Sequence, residues 1–190
     1  MIISKFDNYP LPESVVAEIM SDLLSALVYL HSNKIVHRDV KPENLMVKWE
    51  PSSELHRKRL RIKVGDFGLA TVIRNDQPLK KVCGTPSYVS PEMIRESGYS
   101  YPIDVWAAGV IMFILFHGFA PFNGNEGDDD QLLFQRIVMG EIDTHNHIWP
   151  TLSYDARSLI EAMLTVDQHF RPSASALLNT VWMRLGVSWH

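Results

Sequence analysis

Residues 105–116 read Val-Trp-Ala-Ala-Gly-Val-Ile-Met-Phe-Ile-Leu-Phe, twelve positions without one charge. A helix lying on a protein surface keeps a polar face, and a half-wet strand alternates; this run does neither. It is also too short for a bilayer core, which takes about 20 residues. The remaining solution is a helix over residues 104–118, enclosed by protein on all sides. The rest of the chain must then be a shell around it.

Much of that shell is legible. Residues 13–31 place Val16, Ile19, Met20, Leu23, Leu24, Leu27 and Leu30 at helical spacing, giving one broad apolar face. Pro12 suits the first turn, where its missing N–H costs nothing, and Ser32 and Asn33 end the helix. Residues 131–138 have helical spacing. Ser153 is placed to cap a helix over 154–164, and residues 173–178 form a last short one. Residues 45–48 and 60–64 read as two short strands. Residues 49–59, with Pro51 and several charges, read as the loop between them. Residues 71–87 and 121–130 have no clean period and are expected to be loops; Asp128–Asp130 is a solvated acidic run.

Composition narrows the function classes. The chain has 190 residues, 46% hydrophobic and 21% charged, with no break that would divide it into two domains. The formal charge of −4 argues against a nucleic-acid or membrane-surface binder, which would be basic. A single cysteine, Cys83, excludes an internal disulfide and fits a reducing compartment. Residues 1–9 carry one lysine and no long apolar stretch, unlike a secretory leader.

The chemistry concentrates in two motifs. His37-Arg38-Asp39-Val40-Lys41-Pro42-Glu43-Asn44 sets an acid, a lysine and an amide at fixed offsets on a short loop. Phosphoryl transfer needs this kind of set: a group to orient the attacking hydroxyl, a cation near the moving phosphoryl, and a metal to screen charge. Asp39 can accept the hydroxyl proton, Lys41 can meet the phosphate, and Asn44 can ligate Mg²⁺. Asp66-Phe67-Gly68 follows, with Asp66 22 positions after Asn44. Its carboxylate is a hard oxygen ligand suited to Mg²⁺. Asp-Phe-Gly alone would be read as a turn; the two motifs in this order make a constellation.

That constellation resembles the eukaryotic protein kinases. Gly84-Thr85-Pro86 with Ser90-Pro91-Glu92 is similar to the family's substrate-binding segment and Ala-Pro-Glu motif, serine standing in place of alanine. Asp104-Val105-Trp106 followed by Gly109 is similar to the start of its central helix. Lys41, two residues after Asp39, marks the serine/threonine class. Segments 82–89 and 105–111 are especially similar to the doublecortin-like kinases of the calcium/calmodulin-dependent group.

The resemblance covers residues 3–182. It implies the C-terminal lobe of the kinase fold, mainly α with a small β-hairpin, over 1–190 as a partial domain with the N-terminal lobe absent. It implies ATP and Mg²⁺ as cofactors and transfer of the γ-phosphoryl group to a protein serine or threonine. Met46 would floor the adenine pocket, Asn44 and Asp66 would bind Mg²⁺, and Glu43 would contact a basic substrate residue. Thr85 would bond the catalytic loop, Asp104 would support its backbone, and Arg171 would pair with Glu92. Calmodulin or a regulatory segment outside this chain is the implied partner. The implied location is cytoplasmic, with cytoskeletal association through regions outside this chain.

The family's Gly-rich loop, strand lysine and helix-C glutamate belong upstream of residue 1, so the expectation is a fragment of an active kinase. The alternative is a short product that binds peptides or partners without catalysis. Arg38, before the catalytic aspartate, is the residue that pairs with an activation-loop phosphate in such kinases. Residues 73–83 contain no serine, threonine or tyrosine, and Lys80 and Lys81 stand instead. Activation is therefore expected without phosphorylation there, with Thr71, Thr85 and Ser87 as the other candidates. Arg57-Lys58-Arg59 is a candidate dock for an acidic partner, read against a solvated loop. His145 and His147, two apart, are poorly spaced for a metal.

Overall fold

A computed structural model describes residues 10–51, 58–75, 77–122 and 129–186. The leader reading at residues 1–9, Arg57 in the hairpin loop, and Asp128 lie outside the described residues.

The apolar run forms helix α3, Pro102–His117, and nearly every residue in it is buried. Helix α1, Glu13–Ser32, packs its apolar face against α3. By length and hydropathy α1 would pass for a bilayer span, but Leu23, Leu24 and Leu27 are fully enclosed in the core. Helix α5, Tyr154–Met163, covers another side of α3. The α3–α5 approach is close at Gly109: a Cβ there would lie 2.8 Å from Met163 Cβ and 3.0 Å from Leu164. Only glycine lets the two backbones come this near.

The Ser153 cap expected from the sequence is present, and Ser173, expected as the first residue of its helix, stands just before it as a second cap. Ser153 Oγ accepts from Ala156 N, and Ser173 Oγ accepts from Ala176 N ahead of α6, Ala174–Leu178. Helix α4 runs Asp130–Met139, one residue earlier than its periodicity, because the Asp129 carboxylate caps Leu132 N. Two short helices had no legible period: α2, Pro91–Ile94, and α7, Val181–Gly186.

The hairpin is longer than expected. Strand β2 runs Leu45–Pro51 and β3 Lys58–Val64, paired antiparallel with Leu45 opposite Val64 and Pro51 opposite Lys58. The loop expected over 49–59 thus shrinks to within 52–57. Charges and a proline hid these strand ends, because both are uncommon inside strands. Asp22 on α1 anchors the hairpin, accepting from Arg61 Nη1 at 2.9 Å and from Ile62 N at 2.8 Å. A second sheet pairs β1, Ile35–Val36, with β4, Thr71–Val72, inside the segment expected to be loop. Two residues are too few to show a period of two.

His117 closes α3 inside an aromatic box. Its ring stacks on Phe113 at 3.9 Å and sits near Phe119 and Trp149. Nδ1 donates to Phe113 O at 2.9 Å, whereas the buried Nε2 has no hydrogen-bond partner among the described residues. Burial holds the imidazole below its ordinary value, outweighing the Phe113 carbonyl and the Asp143 charge, which favour the imidazolium; His147 adds to the lowering. The unfolded chain therefore binds this proton first. His117 costs the fold nothing above pH about 6.5 and destabilises it increasingly as pH falls below that value. Urea midpoints at pH 7.5 and 5.5 are expected to show a smaller acid loss in His117→Phe than in the parent chain.

Ser90 is also fully buried, and its hydroxyl has no hydrogen-bond partner among the described residues. Ser90→Ala removes an unsatisfied group, an expected gain of about 1 kcal/mol. Thermal unfolding should show a higher Tm.

Candidate active site

The site begins at the charged end of the buried helix. Asp104, in the first turn of α3, is 1% exposed. Its Oδ2 accepts from His37 N and from His31 Nε2, and its Oδ1 from Arg38 N, each at 2.9 Å. These bonds hold the catalytic-loop backbone, with Arg38 at φ 69°, a left-handed conformation costly outside glycine. Asp104 supports the loop as expected from its motif. The contribution of His31, at the far end of α1, had no sequence signal.

Asp39 follows directly. Its Oδ2 lies 2.8 Å from Lys41 Nζ and accepts from Asn44 Nδ2 at 3.1 Å; Asn44 Nδ2 also donates to Asp39 O at 2.8 Å. Thr85 Oγ1 donates to Asp39 Oδ1 at 3.2 Å and accepts from Lys41 Nζ at 2.9 Å. Four residues from two loops thus form one hydrogen-bonded cluster. Burial alone would raise the Asp39 carboxyl. The hydrogen bond and charge of Lys41, with Asn44 and Thr85, outweigh it and hold the group below the usual carboxylate value.

Gly84 explains how the second loop reaches the first. It sits at φ +103°, and a Cβ there would meet Arg38 O at 2.9 Å. Only glycine satisfies both the turn and the close approach.

The candidate metal residues meet at one end of the hairpin. Gly65 N donates to Asn44 O at 2.8 Å, extending the β2–β3 register, and Asp66 follows at once. Asp66 adopts φ 54° and accepts from Gly68 N at 3.1 Å. Because Asn44 spends its nitrogen on Asp39, its Oδ1 carries no hydrogen bond among the described residues. An amide oxygen and a carboxylate are a fitting donor set for a hard cation. Phe67 stands edge-on to His37, and His37 Nε2 donates to Gly65 O at 3.0 Å, so the two motifs interlock. Met46 is exposed and lies over Gly65.

Glu43 is exposed and outside the Asp39 cluster. Its negative charge faces Tyr88, whose hydroxyl is pushed up first by burial and then by Glu43. Farther away, Arg171 and Glu92 form the expected buried pair, bidentate at 2.7 and 3.0 Å. Arg171 also stacks on the Trp106 face, 5.0 Å from the ring centroid.

A family model described as "Protein kinase domain" matches residues 2–183. The chain belongs to the protein kinase family. It is 48% identical to the serine/threonine-protein kinase DCLK1 of Rattus norvegicus over 165 residues, 87% of this chain and 36% of the rat protein. It is 41% identical to DCLK3 of Mus musculus over 179 residues, 94% of this chain and 22% of the mouse protein. It is 45% identical to DCLK2 of Mus musculus over 162 residues, 85% of this chain and 20% of that protein. The chain therefore spans between about a fifth and a third of the length of these relatives.

Within this kinase chain the sequence motifs identified the Asp39 cluster, the hairpin end and the Glu92–Arg171 pair. They missed His31 and Tyr99. Tyr99 touches Arg38 at 3.3 Å through its hydroxyl. Both lie outside the motifs, and only folding brings them to the catalytic loop.

Proposed function

We propose that this chain carries the phosphoryl-transfer half of a serine/threonine protein kinase, moving the ATP γ-phosphoryl group to a protein hydroxyl. The observation that carries the reading is the Asp39 cluster, in which an ionised carboxylate is held by Lys41, Asn44 and Thr85. Asp39 orients the substrate hydroxyl and takes its proton as the oxygen–phosphorus bond forms and ADP leaves. Lys41 balances charge beside the moving group, and Thr85 keeps Lys41 and Asp39 in register. Asn44 Oδ1 and Asp66 are the residues that would hold Mg²⁺, which supplies charge screening on the phosphates when bound. Met46 lines the adenine side, and Glu43 offers a carboxylate to a basic substrate residue.

Substrates on this reading are proteins with an accessible serine or threonine. The unpaired Cys83 supports a reducing, cytoplasmic setting. Calmodulin or a regulatory segment outside this chain would act as regulator, and any cytoskeletal attachment would come from regions outside it.

The test is transfer of labelled γ-phosphate to a peptide by the longer protein that contains this chain. Asp39→Asn is expected to lower kcat by about 10²- to 10⁴-fold, as loss of a general base does. The exposed apolar side chains Met46, Trp49 and Phe67 favour the second reading, a partner-binding module. Equal peptide binding by parent and Asp39→Asn chains, with no transfer from either, would select it.

A further inference from the structure

Tyr99 lies in the loop between α2 and α3 and is 1% exposed. It grips the activation segment at two points. Its backbone pairs with Leu79 in both directions at 2.9 Å, and its hydroxyl donates to Lys81 O. The same hydroxyl accepts from Arg38 Nη1 at 3.3 Å, while Arg38 Nε donates to Leu69 O at 2.6 Å. One phenol thus joins the residue before Asp39 to the segment leading to Thr85.

The chemistry of this bridge is unusual for a half-buried cation. Among the described residues, the Arg38 guanidinium is met by a phenol and a carbonyl rather than by an anion. Arg38 polarises the Tyr99 oxygen, which makes its O–H a stronger donor to Lys81 O. Burial pushes the phenol up from its ordinary value; Arg38 works against this and Cys83 adds to it, so the hydroxyl keeps its proton near neutral pH. Leu79 and Cys83, both half-buried, pack against the same small core as Tyr99.

We propose that Tyr99 is a positioning residue whose uncharged hydroxyl orders residues 79–85 against Arg38 through hydrogen bonds, so that this segment needs no phosphate to hold Thr85 at Asp39. The functional half of this inference rests on the kinase reading; the ordering half does not.

The experiment is hydrogen–deuterium exchange on Tyr99→Phe in the full chain, without nucleotide. Phenylalanine fills the same space, so the fold is retained while the bridge is lost. Amides of residues 79–85 are expected to exchange about ten-fold faster than in the parent, the scale of one lost hydrogen bond to a charged group. Arg38→Lys, which keeps the charge but not the two-point geometry, should give a similar increase. Adding Tyr99→Phe to it should add almost nothing. Unchanged exchange in Tyr99→Phe overturns the proposal, and so does full additivity of the two substitutions. In the peptide assay Tyr99→Phe should lower kcat with the ATP KM little changed, and phosphatase treatment should leave the parent active. Activity lost to phosphatase, with a phosphate mapped to Thr85 or Ser87 before treatment, also overturns the proposal. If no transfer occurs in any variant, the kinase reading fails and the exchange result still decides the ordering role.

Discussion

Glu92→Ala is expected to lower the stability of the fold by about 3–5 kcal/mol, the usual consequence of stripping one partner from a buried ion pair. The Arg171 side chain is fully enclosed, so the orphaned guanidinium cannot reach water. It would keep the carbonyls of Thr165, Pro102 and Val166 and the Trp106 face, which solvate a cation but do not neutralise it. Domains are stable by about 5–15 kcal/mol in total, so the loss is a large share of the whole. Urea unfolding should show a much lower midpoint. The double variant Glu92→Ala with Arg171→Met should recover part of the loss, because no charge is then left buried. A midpoint within error of the parent in the single variant would mean that the pair is wet in solution.

Asp104→Ala is expected to be nearly as severe, and its damage should reach the active site. Three donors, His37 N, Arg38 N and His31 Nε2, lose their acceptor together. Each buried donor left unpaired costs about 1–3 kcal/mol. Two of them belong to the residues that set the direction of Asp39, and Arg38 would be free to leave its left-handed conformation. On the proposed kinase reading, phosphoryl transfer by the longer protein that contains this chain should therefore fall further than the loss of folded protein accounts for. That excess is read by comparing activity per folded molecule, using near-UV circular dichroism to count the folded fraction. If activity falls only in step with the folded fraction, Asp104 serves stability alone.

Both substitutions act through bonds that join distant parts of the chain, and such bonds separate the legible from the hidden. The Glu92–Arg171 and Asp104 contacts were foreseen only through family motifs; nothing in local spacing pairs residues 79 positions apart. The Ser153 cap was legible because a cap is satisfied within three residues. The α3 helix was legible because twelve uncharged residues leave one place for it to go. The two-residue strands β1 and β4 were not, since they exist only by pairing with each other.

Local order along the chain thus determined the buried helix, the amphipathic α1, the Ser153 cap, and the order of acid, lysine and amide in the catalytic loop. These depend on neighbours within a few residues, where backbone geometry leaves little choice. Tertiary structure alone decided that Thr85 closes on Asp39, that His31 shares Asp104 with the loop, and that Tyr99 rather than an anion meets Arg38. Those contacts form when loop ends far apart in sequence are brought together by burial of the core. Their partners are selected by what burial places within hydrogen-bond reach, a quantity no local pattern contains.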